Sequence, residues 1–373
     1  MTTQKPERLL SLDIFRGVTI AGMILVNNPG SWGHVYPALA HAKWHGCTPT
    51  DLIFPFFLFI VGVAVTLSLK KRKERGDNQT SLILNSLRRA AILFGLGIFL
   101  ASFPYFDLTE VRIPGVLQRI AIVYLITSVI FLKTTWKTQA WIGGGLLLLY
   151  WAAMSLIPVP GVGYANLEPT TNLAAYFDNL LLKGHMWKAT KVWDPEGILS
   201  TIPAISTCIS GVLLGHWLQK ENDPATKTVW IFVAGIFGMV IGYVWDGLFP
   251  MNKSLWTSSY VAYTTGLALV FFAMIYWLVD VRKSTWWTKP FIVYGMNAIT
   301  VFFLSGLMAR SMGLIKFTGA DGDPISLNRW LYTTLYTPYL SDMHASLAWA
   351  LSYVLLWLGI LWVLYVNKIF VKV

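Results

Sequence analysis

Ten stretches of this chain stay apolar long enough to cross a lipid bilayer, and only short basic connections or polar loops separate them. They cover residues 12–30, 50–69, 89–103, 115–132, 140–157, 198–218, 228–249, 257–279, 290–310 and 345–366. A spanning helix needs about 20 predominantly apolar residues, so the expected fold is all-α: a polytopic helical membrane protein. The third run is short. The segment 327–340 is aromatic and amphipathic, and it either lies in the interface or dips in as a half-span, which sets the expectation at ten or eleven helices. No extramembrane stretch is long enough for an independent domain, so 1–373 reads as a single transmembrane domain.

Composition agrees. Charged residues make up 13% of the chain and hydrophobic ones 55%, with a mean hydropathy of +0.56; a soluble domain of this size carries about a quarter charged residues. The first run carries Asp13 and Arg16 and lacks a small-residue cleavage site, so it is expected to remain as a signal anchor. The net charge of +11 is not a nucleic-acid signal, because the basic residues sit mostly in the connections between apolar runs, where they set orientation. With both termini in the cytoplasm, twice as many Lys and Arg fall on the cytoplasmic side as on the other, led by Lys70, Lys71, Arg72, Lys73, Arg75, Arg88 and Arg89 and including Lys5, Arg8 and Lys372. That face suits an anionic ligand or lipid. Cys47 and Cys208 have neither disulfide support nor metal-ligand spacing, and no metal site is expected.

In this orientation every long polar loop lies outside: 31–49, 104–113, 158–197 and 311–344. Those loops hold His34, His41, His45, His185 and His344, together with acids that include Asp178, Asp194, Glu196 and Asp321. The densest chemistry is in residues 41–62, where His41, His45 and Asp51 run without a spacer into an apolar helix. Ionisable groups at such depths are functional candidates. Asp51 is close enough in sequence to orient the His41 imidazole, and it is equally placed to cap the second helix.

Other polar groups admit two readings. Asp13 and Arg16, three residues apart on one helix face, form either a self-neutralising interfacial pair or the lining of a mouth for an anionic ligand. Asn27 and Asn28 stand before the helix-breaking Pro29, as capping groups or as donors to a developing oxyanion. Gln118 and Arg119 come one turn into an apolar run. An intramembrane Arg costs about 2.5–3.5 kcal/mol on insertion scales, so Arg119 needs a buried carboxylate or a ligand carboxylate or phosphate. Asp194 and Glu196 either cap the sixth helix or hold a cationic amine. Asp246, Asn252 and Lys253 crowd a short hairpin rich in donors, and Asn297 adds a carboxamide inside the ninth run. Gly211-x-x-x-Gly215 and Gly238-x-x-x-Gly242 read as close helix packing. Gly143-Gly144-Gly145 lacks the setting of a phosphate loop.

Taken in order, several short pieces resemble the transmembrane heparan-α-glucosaminide N-acetyltransferase family and its bacterial relatives. They are Arg8 with Ser11-Leu-Asp13-x-Phe-Arg16-Gly17, Val26-Asn27, His41-Ala-x-Trp44-x-Gly46, Asp51-Leu-Ile-Phe-Pro55 and Arg112-Ile-Pro-Gly-Val-Leu-Gln118-Arg119. Further along come Asp194-Pro-Glu196-Gly197, Asn252-Lys253-x-Leu-Trp256 and Gly295-Met-Asn297. The resemblance implies an enzyme that takes acetyl-CoA from the cytosol and acetylates a glucosamine amine on the far side of the membrane. It places the active-site histidine on His41 and the asparagine near the thioester on Asn27. Where the family often has Asn after the Trp, this chain has His45. It has only seven residues before Arg8, so the expectation is the compact bacterial form in an inner membrane. The acceptor would then be a free amino sugar or cell-wall fragment, and the assembly a homodimer.

These expectations assign His41 as base or acyl acceptor, Asn27 to the thioester oxygen and Asp51 to orienting His41. Arg16, Gln118, Arg119 and Lys253 fall to the CoA path, and Asp194, Glu196, Asp246 and Asn252 to the sugar. A hexosamine amine is mostly protonated near neutral pH, and an imidazole, whose ordinary pKa is about 6.5, suits its deprotonation. An amino-sugar permease without chemistry is the competing reading, since buried Asn, Gln and Arg beside a kinked first helix would serve it too.

Overall fold

The computed structural model describes residues 9–319 and 322–371. Lys5, Arg8, Asp321 and Lys372 lie outside the described residues. The elements are α1 (Leu10–Asn27), α2 (Ile53–Glu74), α3 (Gln79–Ser102), α4 (Val116–Lys133), α5 (Trp136–Leu156), α6 (Leu173–Leu182), α7 (Thr201–Leu218), α8 (Pro224–Asp246) and α9 (Ser258–Tyr276), followed by α10 (Lys289–Met296), α11 (Ala298–Leu314), α12 (Leu327–Leu335) and α13 (Asp342–Val366). A small antiparallel ribbon, β1 (Lys316–Thr318) with β2 (Pro324–Ser326), sits between α11 and α12. Among the described residues nine helices are long and apolar enough to cross a membrane, and the α10–α11 pair, bent by 80°, is either a tenth, broken span or a re-entrant loop. The chain is an all-α, polytopic integral membrane protein.

Three boundaries differ from those expected. The third span starts ten residues earlier, at Gln79, because the Asn78 side chain accepts from Ser81 N and caps the helix there. Arg88 and Arg89 then ride on its exposed face, with Arg89 over the Tyr124 ring at 5.5 Å. The ninth span breaks at Asn297, whose buried carboxamide turns away from the helix to pair with the C-terminal segment: Nδ2 donates to Ile369 O at 3.1 Å, and Oδ1 accepts from Val371 N at 2.9 Å. The segment 327–340 contributes only the nine-residue α12, too short to span.

Helices α1, α2 and α7 are buried over 61–67% of their apolar windows, whereas α5, α8 and α13 are buried over 22%. The inner helices approach closely through glycine. A side chain at Gly211 would collide with the Phe59 carbonyl of α2, and one at Gly62 with the Cys208 carbonyl of α7. Gly238 and Gly242 seat α8 against α9 in the same way. The outer helices turn large apolar side chains outward, Phe237, Tyr243, Val244 and Leu355 among them. Water would penalise such a surface, and hydrocarbon accepts it.

The largest buried cluster joins Ile20, Met23 and Ile24 of α1 to Phe54 and Leu58 of α2 and to Trp256 and Tyr260 at the start of α9. It lies beneath the end of the bundle where α1, α3 and α8 finish and α2, α4, α7 and α9 begin. The loops 28–48, 103–115, 183–200 and 247–257 meet at that end.

Candidate active site

Pro29 stops α1, and Asn28 closes it by donating from Nδ2 to Ile24 O at 2.8 Å. The chain then runs to Thr48 and enters α2 through a short 3₁₀ turn, Pro49–Leu52, closed by a capping box between Thr48 and Asp51. Asp51 meets both the cap and the imidazole. Oδ2 accepts from Thr48 N at 3.0 Å and Ala42 N at 3.1 Å, and Oδ1 faces His41 Nδ1 at 2.7 Å. Its backbone carbonyl accepts from the Tyr260 hydroxyl of α9 at 2.5 Å. The Asp51 side chain is 1% exposed, while the His41 ring is 47% exposed. The carboxylate is therefore rigidly held, and the imidazole leans from it into open space.

The hairpin 247–257 supplies the third member. Asp246 Oδ1 accepts from Met251 N at 2.6 Å. Asn252 accepts from Leu255 N at 2.9 Å and is wholly buried, and among the described residues its Nδ2 has no partner. Gly46 N donates to Met251 O at 2.8 Å, tying the His41 loop to this hairpin. Lys253 Nζ comes within 3.1 Å of His41 Nδ1, 3.3 Å of Nε2 and 3.7 Å of Asp51 Oδ1. Burial lowers the Lys253 pKa, against the attraction of Asp51 and Glu196. Beside this cluster burial, and then the charge of Asp51, pushes the Cys47 thiol up to about 12, so it is no thiolate nucleophile.

A second polar cluster lies in the next loops. Arg112 grips Asp194 with two hydrogen bonds, Nε to Oδ2 at 2.8 Å and NH2 to Oδ1 at 2.6 Å, and reaches Glu196 Oε2 at 2.5 Å. Burial works against the Arg112 charge, but the two carboxylates outweigh it and raise its pKa. Asp178 of α6 accepts from Asp194 N at 3.1 Å and Ile198 N at 2.9 Å, and burial pushes its carboxyl up to about 6. Arg119 is buried against the Trp256 ring at 5.1 Å; it donates to Gly197 O at 3.1 Å and to the Ser200 hydroxyl, leaving Nε and NH1 unpartnered.

A cavity of about 720 Å³ opens between α1, α3, α4 and α11, walled by Met23, Ile24, Leu100 and Phe302 and by the polar Asn27, Gln118 and Arg112. Among the described residues neither the Asn27 nor the Gln118 carboxamide has a hydrogen-bond partner. Gly97 and Gly115 leave the room that Gln118 fills. His41 is not one of its wall residues. The structure thus gathers His41, Asp51 and Lys253 in one place and Asn27 with Gln118 in another. Asp194 and Glu196 stand on Arg112. Arg16 stays near the far end of α1, paired with Asp13 at 3.4 Å and donating to Gly295 O at 3.3 Å. Among the described residues no group of three or more His, Cys, Asp or Glu side chains could hold a metal ion.

Sequence reasoning missed that Lys253 belongs with His41, that Arg112 is a clamp and that Asp178 supports it. These contacts join residues 16 to 212 positions apart, and no local pattern announces them.

The fold and the site define a polytopic membrane protein with a histidine–carboxylate dyad at one end of its helical bundle and a separate carboxamide-lined cavity. Residues 8–241 match the family model described as heparan-alpha-glucosaminide N-acetyltransferase, catalytic, and the chain belongs to that family. The heparan-alpha-glucosaminide N-acetyltransferase of Homo sapiens is 32% identical over 80% of this chain and 52% of its own length. The protein of the same name from Mus musculus is 31% identical over 79% and 53%. The chain spans about half the length of these curated relatives.

Proposed function

We propose that this protein transfers an acetyl group from acetyl-CoA to the primary amine of a glucosamine-type sugar, with donor and acceptor approaching from opposite sides of the membrane. The observation that carries the reading is the His41–Asp51 dyad. The 2.7 Å contact engages Nδ1, so the tautomer with its proton on Nδ1 turns the Nε2 lone pair away from the carboxylate. A half-exposed imidazole on a buried carboxylate is suited to take a proton from an incoming ammonium or amine, or to accept the acyl group itself. Family membership supports the chemistry, since the relatives are named as N-acetyltransferases acting on α-glucosaminide.

Asn27 and Gln118 present unpartnered amides to an apolar-walled cavity, a setting that suits an acyl-thioester arm with its own amide groups. Asn27 is assigned to the thioester oxygen and Gln118 to the donor, with Arg16 at the cytoplasmic mouth and Arg119 acting through the loop it holds. Asp194, Asp246 and Asn252 shape the loops around the acceptor, and Glu196 lends negative charge there. The asymmetry of Lys and Arg supports a cytoplasmic position for both termini, in what we take to be an inner-membrane protein.

One observation favours a carrier instead, the 80° break between α10 and α11, since broken helices build substrate sites in transporters. Purified protein with labelled acetyl-CoA and glucosamine distinguishes the two. Acetylated sugar that falls on the order of 10³-fold in His41→Ala supports the enzyme. Sugar uptake into proteoliposomes without acetyl-CoA, unaffected by His41→Ala, overturns it.

A further inference from the structure

The place of Lys253 is not explained by the dyad alone. Its Nζ is almost equally far from both His41 ring nitrogens, at 3.1 and 3.3 Å. A group so placed cannot lie in the imidazole plane, because in that plane it would fall onto Cε1 on one side or onto the ring carbons on the other. The ammonium therefore stands over the ring face. In the plane, Nδ1 is taken by Asp51, and the lone pair of Nε2 is left open. Lysine is not competing for the lone pair that does the chemistry; it holds a positive charge beside it.

That charge is held in place. The Lys253 carbonyl accepts from Trp256 N at 3.1 Å, the hairpin is pinned by the buried Asn252, and Met251 O accepts from Gly46 N at 2.8 Å. The Lys253 side chain is 21% exposed, and its nearest carboxylate, Asp51, is itself committed to His41 and to two backbone N–H groups. Asn27, the other candidate for stabilising an oxyanion, belongs to the cavity wall and makes no contact with the imidazole.

We propose that Lys253 is a catalytic residue, its ammonium stabilising the thioester oxygen as negative charge builds on it during transfer at His41 Nε2. The assignment rests on the acetyl-transfer reading above. In the direct route the sugar nitrogen attacks the thioester carbon, a C–N bond forms and the carbonyl electron pair moves onto oxygen. The proton leaving nitrogen passes to Nε2. Collapse of the adduct breaks the C–S bond, and the departing sulfur takes the proton from Nε2. In the two-step route Nε2 itself attacks the thioester carbon and the carbonyl pair again moves onto oxygen. Collapse breaks the C–S bond and CoA leaves as thiolate. The sugar amine then attacks the acetyl-imidazolium, the bond to Nε2 breaks, and the proton lost from nitrogen passes to the thiolate. In both, the oxygen is carried out of the line of attack to a position beside the imidazole face, where a fixed cation acts at the moment charge appears. Lys253 neither gains nor loses a proton.

The test compares wild type with Lys253→Met, Lys253→Arg and His41→Ala in detergent, measuring acetyl-CoA affinity, KM for glucosamine and kcat. Lys253→Met should lose about 10²-fold or more in kcat while acetyl-CoA affinity stays within about twofold. Lys253→Arg should recover at least about tenfold of the lost rate, because it restores a charged donor over the ring. If Lys253→Met does not fold, Lys253→Gln is read in the same way. A full kcat in the neutral variants, or weaker acetyl-CoA binding with kcat intact at saturation, would overturn this role while leaving the acetyl-transfer reading in place. Turnover that survives in His41→Ala would overturn that reading and this role together.

Discussion

The His41 cluster and the Arg112 cluster lie at the same end of the bundle and use the same kinds of group, yet they are built to opposite ends. Around Arg112 the valences are matched. The guanidinium donates to Asp194 and Glu196, and Asp194 in turn receives Trp187 N and Glu196 N. Around His41 they are left open, with a buried carboxylate on one side, an ammonium over the face and Nε2 pointing outward. A saturated buried ion cluster fixes a loop, whereas an unsaturated one can bind and transfer. The Arg112 clamp holds the segment 194–200, and its Gly197 carbonyl anchors Arg119, whose guanidinium packs on Trp256 three residues from Lys253. The Arg112 cluster thus braces the hairpin that carries Lys253 to His41.

The comparison can be broken at either end. The largest expected effect is Arg112→Ala, which strips two buried carboxylates of their partner. Removing one member of such a pair costs about 3–5 kcal/mol, read as a lower Tm with activity lost in parallel. A variant that keeps its Tm would mean the cluster is a binding site rather than a clamp. Next comes Asn27→Ala. Turnover should fall on the order of 10²-fold with Tm and acetyl-CoA affinity nearly unchanged, since the Asn27 side chain has no internal partner; equal loss of turnover and affinity would count against an oxyanion role.

Asp178 gives a smaller effect with a definite sign. Burial raises its carboxyl from 3.8 to about 6 in the folded protein. The folded state therefore holds this proton more tightly than the unfolded chain. The resulting stabilisation is complete below pH 3.8 and lost as pH rises through about 6. Asp178→Asn cannot titrate, so Tm measured between those values should lose part of its pH slope. An unchanged slope would place the titration elsewhere. The smallest effect belongs to Glu110→Gln, which cuts an exposed pair with Lys188 at 2.7 Å. An exposed pair of this kind adds little to stability, and a clear loss of Tm would show that this rim pair belongs to the clamp.

The spans were legible because each is a continuous apolar run, and a bilayer accepts little else. The errors came where a polar side chain overrode that pattern. Asn78 drew the start of α3 back past Arg88 and Arg89, and Asn297 broke a run whose composition reads as unbroken. His41 and Asp51 could be paired from sequence because ten residues and one helix cap separate them. The place of Lys253 beside them could not be read, since its partners are 202 and 212 positions away.

By itself, then, the sequence determined the solvent this chain folds in, the helices that solvent requires, the family and the pairing of His41 with Asp51. All of these follow from local composition and short motifs. The tertiary structure alone decided which charges saturate one another and which remain available. Hydrogen bonding is directional and is exhausted by the first good partner. That partner is chosen by how the loops fold over the helix ends, which a linear pattern does not encode.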